Sequence, residues 1–311
     1  MEPRIGIIGG SGLGQALFEE TPGQSIRVDT PFGPPSADPL LFEYDGVPVV
    51  FLARHGVGHI FSPTQVPYRA NIYVLKSLGC QWIIASGAVG SLREHIGPGE
   101  LVLVDQALDK TTRRIGSFFD GSELREGAGA VHVELAEPFC PQLRQIIWRA
   151  AGGGDPERMA TDVLNFGNIR VHGRGTYVCM EGPAFSTRAE SLMHRTWGGD
   201  LIGMTAMPEA KLAREAEISY ALIALATDYD CWRPHTPGQS KQALLTEIIG
   251  HLQQATANAL ALVKASVPAL WQERQTKFAA HQALELAIWS DKTRISNAAK
   301  ERLKLLWGKY F

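Results

Sequence analysis

Two aspartates, Asp228 and Asp230, close the apolar run IALATDYDCW at 223–232. A carboxylate at the end of a buried strand is costly unless it is paired or hydrogen-bonded, so the pair predicts a partner or a chemical task. Other strand-like runs end in residues of the opposite character. After IGII come Gly9, Gly10, Ser11 and Gly12, a flexible backbone with free N–H groups and one hydroxyl, suited to an anion. After VVFL come Arg54 and His55, a planar guanidinium fork beside a second donor. After WIIA comes SGAVGS, where Gly87 and Ala88 leave backbone amides uncovered. In LIGMTAMPEA, Met204 and Thr205 stand directly before a helix start, a place where N–H groups favour anions. Singly, each has a bland explanation: a glycine turn, a surface arginine, a small-residue loop. Together they predict a pocket with an anion-binding end and an acidic end. Such a pocket fits a substrate divided between an inorganic anion and a group that needs protonation or a hydrogen-bond acceptor.

The elements that must position these residues read as an α/β fold. RIGIIGG, VPVVFLARHG, QWIIASGAVG, GELVLVDQAL, TYVCMEGPAF, DLIGMT and YALIALATDYD are near-continuous apolar runs, the pattern of strands covered on both faces. Between them lie helical patterns. FSPTQVPYRANIYVLKSLGC sets Ile72, Leu75 and Leu78 on one side. FSTRAESLMHRTWGG opens on a Ser/Thr cap and ends at Gly198. MPEAKLAREAEI has Pro208 in its first turn, and a helix from about Lys241 to Val263 repeats leucine and isoleucine. Pro268 then predicts an interruption. The expectation is a mixed central sheet flanked by helices, with one α/β domain at 1–265 and a C-terminal helical extension at 266–311.

Composition narrows the class. The 311 residues are 45% hydrophobic and 20% charged with a net charge of −2, so nothing argues for nucleic acid or an anionic membrane as a partner. The start MEPRIGIIGG is too short and glycine-rich for a signal segment, which predicts a cytoplasmic protein. Cys80, Cys140, Cys179 and Cys231 are scattered and form no CxxC, so a metal site is not expected. The glycine turn does not complete GxGxxG, and Ser86 lacks the flanking glycines of a nucleophile elbow. His59, His172 and His251 stand in no constellation and read as surface or satisfied polar residues.

Several segments together carry a resemblance: IGIIGGSGL, LARHG, GSLREHIGPGELVLVDQALDKT, AEPFCP, MEGPAFSTRAES and MTAMPEAKLAREAEISYALIALATDYDCW. Over about residues 4–265 the sequence resembles the methylthioadenosine phosphorylases of the trimer-forming purine nucleoside phosphorylase family. The resemblance implies cleavage of an N-glycosidic bond by inorganic phosphate, a co-substrate, with no metal or cofactor. It implies Gly10, Ser11, Arg54, His55, Gly87, Ala88 and Thr205 around phosphate, with Met204 under the ribose. Phe185 and Ser186 would border the purine. Asp228 would be the general acid at purine N7, and Asp230 would accept from the 6-amino group. That role requires a protonated Asp228 near neutral pH, which a closed pocket and a second carboxylate would favour. His132 would reach a neighbouring subunit's site, implying a homotrimer, with a hexamer as the alternative.

The sequence departs from the family at three places. Gly87 stands where a threonine is common, so phosphate would lose a hydroxyl. GPAF at 182–185 lacks a frequent arginine. The tail diverges, with Leu286 or Trp289 as candidates to line a neighbour's 5′ pocket, and Lys241 falls at a position that influences 5′ selectivity. A carboxylate pair at TDYD favours adenine over 6-oxopurines. The alternatives are a broader phosphorylase acting on adenosine, a hydrolase using water, and a silent nucleoside binder.

Overall fold

The structure, a computed structural model, describes residues 2–10, 23–121, 129–234 and 240–311. Along the chain run β1 (Arg4–Gly9), β2 (Gln24–Ser25), β3 (Leu40–Tyr44), β4 (Val47–Ala53), α1 (Tyr68–Ser77), β5 (Cys80–Ser91), β6 (Leu101–Leu103) and β7 (Gln106–Asp109). Then come α2 (Pro141–Ala150), β8 (Val163–Phe166), β9 (Ile169–His172), β10 (Thr176–Cys179), α3 (Arg188–Thr196), β11 (Leu201–Gly203), α4 (Ala206–Glu215) and β12 (Ser219–Tyr229). The long α5 (Lys241–Gln272) leads to a tail with α6 (Asn297–Arg302) and α7 (Lys304–Trp307).

The strands form one mixed sheet, as the apolar runs predict. Its order is β2-β3-β4-β1-β5-β12-β6-β9-β8, with β11 joining the end of β5 and β10 linking β11 to β7. The parallel centre comprises β4, β1, β5 and β12. Strand periodicity sends alternate side chains into two separate cores. On β12, Tyr220, Leu222, Ala224 and Ala226 enter one, while Ala221, Ile223 and Leu225 enter the other. The same alternation divides Val50 and Leu52 from Val49 and Phe51 on β4. Helices α1 and α4 cover the first face through residues such as Ile72, Leu75 and Leu212. Helices α2 and α5 cover the second through Leu143, Ile147, Leu262 and Leu270.

Three sequence expectations change. GELVLVDQAL is two strands rather than one: Val104 N–H turns to the Leu222 carbonyl, and β7 leaves to pair with β10. The hairpin β8–β9 and the short β2 and β3 were not expected: β8 alternates in exposure, β2 is exposed throughout, and β3 and β9 are only partly buried, so none writes a continuous apolar run. Pro268 does not end its helix. α5 continues through it to Gln272, with Val267 and Leu270 buried on either side to hold the last turns in place.

Candidate active site

The C-terminal ends of β1, β4, β5, β11 and β12 converge on a cavity of about 540 Å³. Of the residues singled out above, Gly10, Arg54, His55, Gly87, Ala88, Phe185, Ser186, Met204, Thr205, Asp228 and Asp230 all line it. Ser11 lies outside the described residues, as does the side chain of Lys241. His132 does not line the cavity. It is exposed, its backbone N–H donates to Ala287 O at 2.9 Å, and its ring sits 4.7 Å from that of Trp289.

A bulge builds the acidic end. Ala226 pairs with Val89 and Asp228 with Gly90, so Thr227 is an extra residue on β12. Strict alternation would put Asp228 and Asp230 on one face; the bulge re-aims the strand end, and both still face the cavity. Thr227 Oγ1 donates to Asp228 Oδ1 at 2.7 Å, fixing that carboxyl group. Asp230 is buried, and its backbone N–H donates to Ser91 O.

The end of the cavity where an anion site is expected rests on a buried ion pair. Arg54, 1% exposed, gives Nε and Nη2 to the two carboxylate oxygens of Glu209 at 2.7 and 2.8 Å. Its Nη1 donates to Ser86 O at 2.8 Å. Burial pulls the guanidinium pKa down, and Glu209 more than offsets this, so the pKa ends above its ordinary value. Tyr220 O–H also donates to Glu209 Oε1, at 2.7 Å. Arg54 is therefore locked in place with most of its donors engaged, and Nη1 is the part nearest Gly87.

Two donors expected at this end prove different in kind. His55 Nδ1 lies 2.8 Å from Phe61 O. A carbonyl only accepts, so Nδ1 carries the proton. Burial, then Arg54, pushes the ring pKa down to about 4, so at neutral pH Nε2 is an acceptor and not a donor. At the start of α4, Thr205 N–H is taken by Tyr177 Oη and Met207 N–H by Cys179 Sγ, while Met207 breaks the helical geometry. The backbone donors expected there are thus largely spent. The hydroxyl of Thr205 makes no capping bond and stands on the cavity wall.

The middle of the cavity is shaped by Met204. Gly182 has φ +67°, and a Cβ on it would stand 2.5 Å from Met204 Sδ, so only glycine lets Met204 lie there. Phe185 is 85% exposed at the mouth, and Cys231 Sγ donates to Ser186 O at 3.2 Å. Ile248, Leu252 and Thr256 of α5 add a mostly apolar wall. Leu286 and Trp289 are exposed and line none of it.

Three further residues shape the site without a local sequence signal of that role. Glu209 sits in the first turn of α4, where an acid has an ordinary helix-dipole explanation and no local signal of its distant partner. Arg114, its side chain 1% exposed, donates to the carbonyls of Met204, Met207 and Glu181 and so pins the start of α4. His59 is exposed, as its sequence reading expected, and it also lines the cavity, with its ring stacked 4.2 Å from that of His55. His172 instead pairs with Glu100 at 2.5 Å, away from the cavity. Among the described residues, no group of three or more His, Cys, Asp or Glu is arranged to hold a metal, and no helix is long and apolar enough to cross a membrane.

Comparison with known proteins converges with this geometry. Residues 4–268 match the Phosphorylase superfamily. The chain is 45% identical, over the full length of both proteins, to the S-methyl-5′-thioadenosine phosphorylase of Thermosynechococcus vestitus. It superposes with a TM-score of 0.83 and 44% identity on a methylthioadenosine phosphorylase from an antarctic soil metagenomic library, covering 98% of each chain. A variant of the adenosine/methylthioadenosine phosphorylase of Schistosoma mansoni, in complex with adenine, superposes with a TM-score of 0.79 and 34% identity, over 93% of this chain and 99% of that one.

Proposed function

The chain belongs to the phosphorylase superfamily, and from that premise we infer that it is a pentosyltransferase acting on S-methyl-5′-thioadenosine. It cleaves the nucleoside with inorganic phosphate, reversibly, to adenine and 5-methylthioribose 1-phosphate, a salvage reaction. The observation that carries the assignment of roles is a single cavity with Asp228 and Asp230 at one end and Arg54 and Thr205 at the other.

Breaking the glycosidic bond builds positive charge on the sugar and negative charge on the departing base. Phosphate, held by the Arg54 guanidinium, the Thr205 hydroxyl and the amides near Gly10, Gly87 and Ala88, attacks the sugar and offsets its charge. Glu209 holds the Arg54 fork rigid for this task. Neutral His55 contributes an acceptor, which takes a hydrogen bond from a protonated phosphate oxygen or a sugar hydroxyl. Met204 supports the ribose. Asp228 delivers a proton to N7 of the leaving purine, and Asp230 accepts from the 6-amino group. A 6-oxo group would present an acceptor to that carboxylate and be disfavoured. The apolar Ile248 and Leu252 suit a methylthio group.

The same reading has the enzyme work in the cytoplasm as a homotrimer, with a hexamer as the alternative and His132 serving a neighbour's site. It needs no cofactor beyond phosphate as co-substrate, and no nucleic-acid or membrane partner. Exposed Leu286 and Trp289, 88% and 72% accessible, support a subunit contact. A second reading, equal use of adenosine, draws support from the name of the Schistosoma mansoni relative.

The test is adenine release from methylthioadenosine and from adenosine, each with and without phosphate. Phosphate-dependent release favouring methylthioadenosine is expected; release without phosphate would make the enzyme a hydrolase. Asp228→Asn should lower turnover of adenine nucleosides by about 10²–10⁴-fold, the usual worth of a general acid. Unchanged turnover would remove Asp228 from that role.

A further inference from the structure

Helix α3 buries two side chains, Ser191 and His194, and both are polar. A surface helix ordinarily turns aliphatic residues inward. These two lie one turn apart and are 0% and 1% exposed. His194 Nε2 stands 2.8 Å from Lys110 Nζ. A lysine ammonium has only donors, so Nε2 accepts and the ring carries its proton on Nδ1. Burial, then the charge of Lys110, pulls the ring pKa down and keeps it neutral. The Nδ1–H group is sealed from solvent with no hydrogen-bond partner among the described residues.

The cavity's Asp230 has the complementary deficit. Its Oδ2 is also buried and unpartnered, and α3 packs along the segment that follows it: Arg188 Nε donates to Cys231 O at 3.2 Å, and the Arg195 guanidinium sits 3.8 Å over the Trp232 ring. A buried donor or acceptor left unpaired costs about 1–3 kcal/mol, more for a charged group, so two complementary orphans in one region call for a connection. We propose that His194 is a positioning residue for Asp230: its Nδ1–H holds Oδ2 through one buried water, and Lys110 sets the tautomer that makes this possible. The other carboxylate oxygen is then fixed as the acceptor for the purine's exocyclic amino group. This rests on the reading of Asp230 as the base-recognising carboxylate.

The test uses the enzyme and five variants, with adenine and hypoxanthine affinities by calorimetry and steady-state kinetics with methylthioadenosine. His194→Phe keeps the volume and removes the donor. His194→Asn places an amide N–H near the position of Nδ1. Since a hydrogen bond to a charged group is worth about 1.5–3 kcal/mol, His194→Phe should raise the adenine Kd and the nucleoside KM about tenfold or more. Hypoxanthine binding and kcat should change by less than about twofold, and His194→Asn should recover most of the loss. In an Asp230→Asn background, His194→Phe should add nothing, because the two act as one unit. Should His194→Phe fail to fold, Lys110→Met reads the same connection from its other end. A rise of about threefold or more in adenine Kd supports the proposal, and no change overturns it. Asp230→Asn binding adenine as well as wild type overturns the reading of Asp230, and the proposal with it. Asp230→Asn losing adenine while His194→Phe and His194→Asn behave alike overturns the proposal alone.

Discussion

His55 meets the anion end of the cavity as a neutral ring, and that has a consequence for stability as well as for recognition. Its pKa is about 4 in the folded protein against 6.5 for an ordinary histidine. Between those values the unfolded chain binds a proton that the folded chain refuses, so stability falls as pH drops from about 6.5 toward 4 and is unaffected by this group above that window. The loss should be roughly 1–3 kcal/mol. Urea unfolding of wild type and His55→Gln at pH 7.5 and pH 4.5 measures it: the variant should lose less on acidification, and an identical loss would reject the account. His55 and Arg54 were legible because they follow an apolar run directly, as Asp228 and Asp230 do. Glu209 was not, because its bond to Arg54 spans 155 residues and neither neighbourhood carries a sign of the other. The protonation of His55 was illegible for the same kind of reason, since it depends on Phe61 O and on the burial around it.

At the scale of elements, β5 shows how one strand serves two purposes through two glycines. A Cβ at Gly87 would meet Thr205 Oγ1 at 3.6 Å and Arg54 Nη1 at 3.9 Å, ordinary contact distances on the cavity wall. A threonine fits a strand and would restore a hydroxyl to the anion end. Gly87→Thr should therefore lower the KM for phosphate by roughly 3–10-fold, the worth of about one hydrogen bond. A higher phosphate KM in steady-state assays would show that the wall has no room. At Gly90 a Cβ would stand 3.1 Å from Ile202 Cγ2 and 3.3 Å from Asp230 Cβ. A methyl group there crowds both neighbours by a few tenths of an ångström, so Gly90→Ala should lower kcat/KM for methylthioadenosine, about tenfold where Asp230 is the side that yields. The parallel strands were readable because burial on both faces writes a continuous apolar run. The bulge at Thr227 was not, because ATDY carries no residue that marks it.

For the whole molecule, the tail is where sequence and structure diverge most in character. Its pattern reads as an amphipathic extension, yet Leu284, Ala287, Ile295, Ala299, Leu303, Leu306 and Trp307 belong to the same core as α1 and α4. Glu217 ties the end down: Lys309 Nζ lies 2.7 Å from its carboxylate, and Tyr310 O–H and Leu284 N–H donate to it. Arg302 reaches back to Pro31 O at 2.7 Å. No periodicity could reveal these contacts, since the chain between the short helices is irregular and its buried residues are unevenly spaced. Two tryptophans of the tail make opposite predictions. Trp307 is 0% exposed, and Trp307→Ala should cost about 3–5 kcal/mol in the urea unfolding of the whole protein. Trp289 is 72% exposed beside His132, and Trp289→Ala should change protomer stability by no more than about 0.5 kcal/mol. If that surface is a subunit contact, Trp289→Ala should instead shift sedimentation toward smaller species. A protein that unfolds equally early with either substitution would show that the tail is a single cooperative element rather than a buried half and an assembly-facing half.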